Sequence, residues 1–72
     1  MRKFEIYING AMVAIMNANG DDVDFEIYDI DLWNEYQDDE NNEFIYDEPD
    51  LIVIRNNKLN KEYIVKIIEV AA

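Results

Sequence analysis

The chain has 72 residues, with 17 acidic and six basic side chains, and its formal net charge is −11. It contains no cysteine and no histidine, which excludes disulfides, thiolate metal sites and histidine-based chemistry. The length predicts one domain over residues 1–72, and the charge opposes direct binding to nucleic acid or to an anionic membrane surface.

The first hairpin is the clearest local pattern. Residues 2–8 alternate between apolar and polar side chains, which predicts a half-buried strand. Asn9-Gly10 follows, and this pair favours a type I′ turn because both turn residues need a positive φ. Residues 11–17 then predict an antiparallel strand that is apolar on both faces, as is typical of a central strand.

A second turn leads into a third strand. Asn19-Gly20 repeats the turn signal, and Asp21 extends it. Residues 22–28 alternate again, and their inward side chains would be those of Val23, Phe25 and Ile27. The alternation breaks at Asp29, where the strand is predicted to end.

Residues 31–39 fit either a short helix or an irregular strand. Asp31 is a candidate N-cap, and Leu32, Trp33 and Tyr36 would share one face of a helix. We therefore predict a short helix or helical turn, in which Trp33 serves either as a core residue or as an interface anchor.

The remaining chain predicts a loop and further strands. Residues 40–43 are predicted as a loop, and residues 44–46 as a short strand or edge segment. Residues 51–55 and 61–70 are rich in β-branched residues and predict the last two full strands. The acidic residues 29–50 would thus be an insertion between strands three and four.

The predicted fold is mainly β, with an α+β fold as the alternative. We expect a five-stranded antiparallel sheet or a small barrel, with a short helix or helical turn between strands three and four. Because several strands are apolar on both faces, a homodimer would supply cover that one short helix does not.

Charge is strongly segregated along the chain. Residues 21–50, here called the acidic segment, contain 14 of the 17 acidic residues and no Lys or Arg. The segment therefore carries −14, and the flanks carry +3 from three acids and six bases. Six aromatic residues lie within the segment, so its composition differs from that of a disordered acidic tail.

The arrangement of these acids is not the one that stability favours. A stabilising surface mixes signs and uses Glu–Lys pairs four residues apart, whereas the acidic segment contains no base. On a strand, Asp22, Asp24 and Glu26 would project from one face about 6.6–6.8 Å apart, twice the rise per residue. That spacing is of the order of the distance between successive phosphates in a nucleic-acid strand.

These features predict a surface that binds a basic partner. Its candidate residues are the outward side chains of the third strand and those of the helical and loop region that follows: Asp22, Asp24, Glu26, Tyr28, Asp29, Asp31, Glu35, Tyr36, Asp38, Asp39, Glu40 and Glu43. Carboxylates would steer association, and tyrosines would supply apolar contact area.

Other chemistry has weak support in the sequence. The chain lacks Ser, Thr, Cys and His, so the common nucleophiles and the usual general base are missing, and we predict that it is not an enzyme. No calcium-loop motif is present, because Gly20 comes too early after Asn17. We therefore predict no metal and no cofactor. No stretch approaches the roughly 18 apolar residues of a membrane span, and we expect a cytoplasmic protein.

In charge and size, the chain resembles the DNA-mimic inhibitors of phages and mobile elements, a functional group that shares no fold or motif. The resemblance implies an inhibitor in the cytoplasm of the host cell. It would block the DNA- or RNA-binding surface of a defence protein such as a CRISPR effector or a restriction enzyme. The alternative is an antitoxin-like or adaptor module for a basic protein that does not bind nucleic acid.

Overall fold

The computed structural model describes residues 1–70, which form six strands and one helix. The elements are β1 (Arg2–Ile8), β2 (Ala11–Asn19), β3 (Asp22–Ile27), α1 (Ile30–Tyr36), β4 (Asn42–Asp47), β5 (Leu51–Asn56) and β6 (Lys61–Val70). All strands belong to one antiparallel sheet in the order β3-β2-β1-β6-β5-β4. The first and last strands are therefore neighbours at the centre, and β3 and β4 are the two edges.

The prediction of a mainly β fold is confirmed, as is the helix between the third and fourth strands. The prediction of five strands is wrong, because residues 42–47 pair with β5 and form a sixth strand. The sheet is also open, since β3 and β4 do not pair with each other, so the barrel alternative is wrong.

Two glycine-containing turns set the register of the first three strands. Asn9 and Gly10 both have positive φ, at 52° and 85°, as a type I′ hairpin requires. The second turn differs from the prediction, because Asn19 remains paired with Asp22. Gly20 alone takes positive φ there, at 63°, which is the requirement of a type II′ turn.

Helix α1 begins two residues earlier than predicted. The backbone N–H groups of Tyr28 and Asp29 both donate to the Val13 carbonyl, at 2.8 and 3.2 Å. Asp29 stays extended and caps the helix, because its Oδ1 accepts a hydrogen bond from the Leu32 N–H at 3.1 Å. Asp31 was predicted as the N-cap and instead lies in the first turn, where its negative charge interacts favourably with the helix dipole.

The core lies between the sheet and α1. Its buried side chains come from four central strands: Ile6, Ile8, Val13, Ala14, Ile52, Ile54, Tyr63 and Val65. Leu32, Trp33 and Tyr36 pack against this cluster, which confirms that they share one helical face. The Trp33 ring lies 5.4 Å from the Phe25 ring between centroids, so Trp33 contributes to packing while remaining half-buried.

The opposite face of the sheet has no covering element within residues 1–70. Side chains alternate along each strand, so this uncovered face carries residues such as Glu26, Ile15, Glu5 and Ile68, which form one cross-strand row. Ile15 is buried in this row, whereas Ile68 is about half exposed. No helix in the described part of the chain has the length and apolar character needed to cross a membrane.

Candidate functional site

The sheet topology divides the acidic segment between two edges. Its first part forms β3 at one edge, and its last part forms β4 at the other. Five strand spacings of about 4.8 Å separate them, so the two edges lie on the order of 24 Å apart across the sheet. The predicted residues therefore form two separate acidic surfaces, joined by α1.

The β3 surface carries a regular row of acids. Asp22, Asp24 and Glu26 are exposed and lie on the uncovered face, because Phe25 between them packs against Trp33 on the helix side. Tyr28 is exposed, as predicted, and its hydroxyl donates to Glu26 Oε2 at 2.8 Å. This hydrogen bond raises the pKa of Tyr28.

The β4 surface is built from the loop after α1 and from the edge strand. Asp39, Glu40 and Glu43 are exposed here. Burial raises the pKa of Tyr36, and the nearby carboxylates of Asp47 and Asp39 raise it further. Tyr36 is thus a half-buried residue at the border of an acidic surface, with its ring in edge contact with Trp33.

Three of the predicted site acids within residues 29–50 have structural partners. Asp29 caps the helix, and the Glu35 carboxylate lies 3.7 Å from Lys61 Nζ. Asp38 accepts hydrogen bonds from the Nδ2 atoms of Asn41 and Asn56. The interpretation that the acids are arranged against stability therefore does not hold for these three.

An asparagine network that the sequence did not predict holds the end of α1 against β4 and β5. Asn56 is fully buried, and its Nδ2 donates to Asp38 Oδ2 at 3.1 Å and to Asn42 Oδ1 at 2.9 Å. Its Oδ1 accepts from the backbone N–H groups of Lys58 and Leu59. Asn42 Nδ2 in turn donates to the last helical carbonyls, at 2.9 and 3.1 Å, and so satisfies groups that a helix end leaves free.

Most acids of the segment have no such partner. Within residues 1–70, nine of its 14 acids are exposed and make no side-chain hydrogen bond and no ion pair: Asp21, Asp22, Asp24, Asp31, Asp39, Glu40, Glu43, Asp47 and Asp50. We call these the unpartnered carboxylates. Two of the three ion pairs in the described chain, Arg2–Glu69 and Arg55–Glu62, lie wholly outside the acidic segment.

We expect salt to stabilise the protein. Raising NaCl from about 0.01 M to about 1 M shortens the Debye length from roughly 30 Å to roughly 3 Å, which screens repulsion among the unpartnered carboxylates. The three ion pairs are solvent-accessible and contribute little, so their screening does not offset this gain. The thermal midpoint should rise with NaCl in scanning calorimetry.

The matched control for this prediction is the variant Asp22→Asn/Asp24→Asn/Glu26→Gln, whose midpoint should depend less on salt. A wild-type midpoint that falls with added NaCl would show that attractive pairs dominate the surface.

Asp38 makes stability depend on pH. Hydrogen bonds from Asn41 and then Asn56 lower the pKa of Asp38 from its ordinary 3.8. The stabilisation is present above pH 3.8 and is lost as pH falls through the lower folded pKa. An Asp38→Asn variant should be less stable than wild type at pH 7, and the difference should close below pH 3.8.

Urea midpoints at several pH values measure this difference. Asp39→Asn serves as the control, because it removes an exposed neighbouring charge and should keep the wild-type profile. A gap between wild type and Asp38→Asn that stays constant with pH would contradict the assigned role of the Asp38 carboxylate.

Other kinds of site have little support in the described residues. No group of three His, Cys, Asp or Glu side chains within residues 1–70 is arranged to hold a metal ion. A shallow depression lies where β5 begins beside β6, lined by Asp50, Leu51, Lys66, Ile67 and Ile68. It brings one acidic and one basic side chain to an open surface.

Comparison with protein-family models, with curated proteins and with solved structures finds no match to this chain.

Proposed function

We propose that this protein is a non-enzymatic inhibitor that occupies the nucleic-acid-binding surface of a basic host protein. The class of target is a defence protein such as a CRISPR effector or a restriction enzyme, and the inhibitor would be encoded by a phage or mobile element and act in the host cytoplasm. Its carboxylates would take the places that backbone phosphates occupy in the target.

The observation that carries this proposal is the set of nine unpartnered carboxylates. Carboxylates that fold stability requires would have bases or hydrogen-bond donors beside them, as the half-buried Asp29, Glu35 and Asp38 do. Crowded acids without partners destabilise a chain of 72 residues, whose total stability is of the order of 4–11 kcal/mol. A basic partner would neutralise these charges, so binding offsets that cost.

The separation of the two acidic surfaces favours a double-stranded nucleic acid as the ligand that is imitated. A groove that binds a duplex carries two rows of basic residues, one for each phosphate backbone. The β3 row and the β4 surface lie on the order of 24 Å apart, so one molecule could face both rows. A single strand would require only one of these surfaces.

Competition for nucleic acid tests this proposal. Labelled DNA or RNA is bound to candidate CRISPR effectors and restriction enzymes, and this protein is titrated in while fluorescence anisotropy is recorded. We expect displacement of the nucleic acid, and we expect direct binding of this protein to the target to weaken as salt is raised, because that contact is electrostatic. Undisturbed nucleic-acid binding in every candidate would reject the proposal.

A pull-down from a host lysate distinguishes the proposed inhibitor from the alternative, an antitoxin-like or adaptor module. An antitoxin-like module would capture a basic protein that has no affinity for nucleic acid. Capture of such a protein, together with failed competition, would assign the acidic surfaces to that role.

A further inference from the structure

An exposed apolar surface wraps around the β4 edge of the sheet. Phe44, Ile45 and Tyr46 are consecutive, and their exposed fractions are 57%, 54% and 47%. Tyr46 pairs with Val53, and Val53 pairs with Ile64, so an apolar row continues across the uncovered face. We call these five residues the β4 apolar edge.

The pairing of β4 explains how three consecutive side chains become exposed. Phe44 is opposite Ile54 and Tyr46 is opposite Val53, so Ile45 is the extra residue of a β-bulge. Phe44 therefore lies on the helix side of the sheet and Tyr46 on the uncovered side, with Ile45 between them at the rim. Large apolar residues in such a cluster, surrounded by polar ones, are typical of a protein-binding surface.

The backbone of β4 is also available for pairing. β4 pairs with β5 on one side only, so its other side has N–H and C=O groups without a strand partner. A bulge and flanking acids such as Glu43 and Asp47 are common protection for such an edge. Protection of the edge against pairing does not explain the three exposed large apolar residues, because exposed apolar side chains promote association with other chains.

The charge flanking the β4 apolar edge argues against binding of a second copy of this chain there. Antiparallel pairing of two β4 strands would bring Glu43 and Asp47 of both copies to one shared edge. Like charges brought together in this way repel each other and destabilise the pair. The β3 edge is acidic as well, so pairing β3 with β4 of another copy repeats the conflict. The charge of this edge complements a strand that carries Lys or Arg.

We propose that the β4 apolar edge binds an extended segment of a basic partner protein, which adds to the sheet as a seventh strand. Apolar side chains of the segment would cover Ile45 and Tyr46, and its flanking bases would face Glu43 and Asp47. This inference rests on the proposed function, because it names the contact by which the same basic partner is held. The acidic surfaces steer the partner, and this edge fixes it.

A model peptide tests the chemistry without the natural partner. The probe is a short capped peptide of alternating lysine and valine, added to ¹⁵N-labelled protein, and an alternating glutamate–valine peptide is the control. We expect amide shift changes in residues 42–48 and β5, together with slower hydrogen exchange along β4, for the basic peptide only. Shift changes centred on β3, unchanged hydrogen exchange along β4, or no binding would overturn the proposal.

Two matched variants test which edge of the sheet binds the peptide. Ile45→Lys and Val23→Lys place the same charge on the two edge strands, at residues whose exposed fractions are 54% and 49%. We expect Ile45→Lys to weaken peptide binding about tenfold or more, and Val23→Lys to change it less than about twofold. Thermal midpoints near that of wild type confirm that both variants fold. Equal effects of the two variants would reject the assignment to β4.

The same variants keep this inference separate from the proposed function. If Ile45→Lys displaces nucleic acid from a target as well as wild type does, the inhibitor proposal stands and the β4 contact falls. If nucleic acid is displaced from no target while the basic peptide binds at β4, the inhibitor proposal is rejected and the β4 contact stands. A wild-type dimer in light scattering that Ile45→Lys dissociates would assign the edge to a second copy and overturn the proposal.

Discussion

Replacing Asn56 with aspartate should lower the free energy of unfolding by about 3–5 kcal/mol at neutral pH. Asn56 is fully buried, and both of its Nδ2 hydrogen bonds end on side-chain oxygens, those of Asp38 and Asn42. An aspartate there has no donor for either bond. Its charge would also face the Asp38 carboxylate from a fully buried position.

The loss is large because the whole chain is small. A domain of 72 residues has a total stability of about 4–11 kcal/mol, so the variant should be partly or fully unfolded at neutral pH. Urea denaturation followed by circular dichroism measures the difference. Acid should restore part of the loss, because a protonated carboxyl group can donate one hydrogen bond.

Asn57→Asp is the matched control for this experiment. Asn57 is the next residue, its side chain is exposed, and the substitution makes the same change in net charge. We expect Asn57→Asp to change stability by no more than about 0.5 kcal/mol. Equal losses in the two variants would mean that net charge, and not the asparagine network, determines the effect.

Neutralising either acidic surface should weaken the inhibition of a target about tenfold. One variant is Asp22→Asn/Asp24→Asn/Glu26→Gln on β3, and the other is Glu40→Gln/Glu43→Gln/Asp47→Asn on the β4 side. Each removes three charges and changes the net charge from −11 to −8. At roughly 0.5 kcal/mol for each exposed ion pair, three pairs contribute about 1.5 kcal/mol, which is roughly a tenfold change in affinity.

The two variants control for each other, because they have the same net charge and differ only in which edge is neutralised. If both edges contact the target, the combined variant should lose about a hundredfold, since the sites are too far apart to couple. Inhibition constants from the competition titration, at one fixed salt concentration, provide the measurement. A loss confined to one variant would reject contact by both edges, and no loss in either would reject the acidic surfaces as the binding site.

Local signals predicted the first half of the fold well. Asn9-Gly10 identifies its hairpin because few other pairs accept positive φ at both positions, and both residues have it here. The face shared by Leu32, Trp33 and Tyr36 was also predictable, since apolar spacing along a helix depends only on the sequence.

Residues 44–46 were predicted as a short strand or edge segment, and β4 confirms this, but its full extent and its pairing as a sixth strand were not predictable from the same signals. Phe44, Ile45 and Tyr46 are a short apolar run between acids, and the bulge at Ile45 interrupts the alternation that identifies a strand. Pairing with β5 makes residues 42–47 a strand, and an edge position tolerates the exposed acids around them. Strand pairing of this kind is a property of the assembled sheet.

Tertiary structure also decided the arrangement of the candidate site. Asp38 and Asn56 are 18 residues apart, so no local pattern distinguished this carboxylate from the exposed Asp39 beside it. The two parts of the acidic segment are close in sequence, but the strand order places them at opposite edges. The composition of the binding surface was thus predictable, whereas its division into two surfaces was not.

The neighbouring positions of β1 and β6 have a consequence for how the chain folds. β1–β2–β3 and β4–β5–β6 are each built from hairpins of adjacent strands, whereas the centre of the sheet pairs Lys3 with Val70 and Ile8 with Val65. Contacts so distant in sequence form slowly, because a long loop must close first. We therefore expect two preformed halves that join last at their shared seam, with φ-values lower for contacts across β1 and β6 than for those within either half. Until β1 and β6 pair, each half has an additional open edge, and these two strands carry more of the apolar core than the acidic edges of the finished sheet.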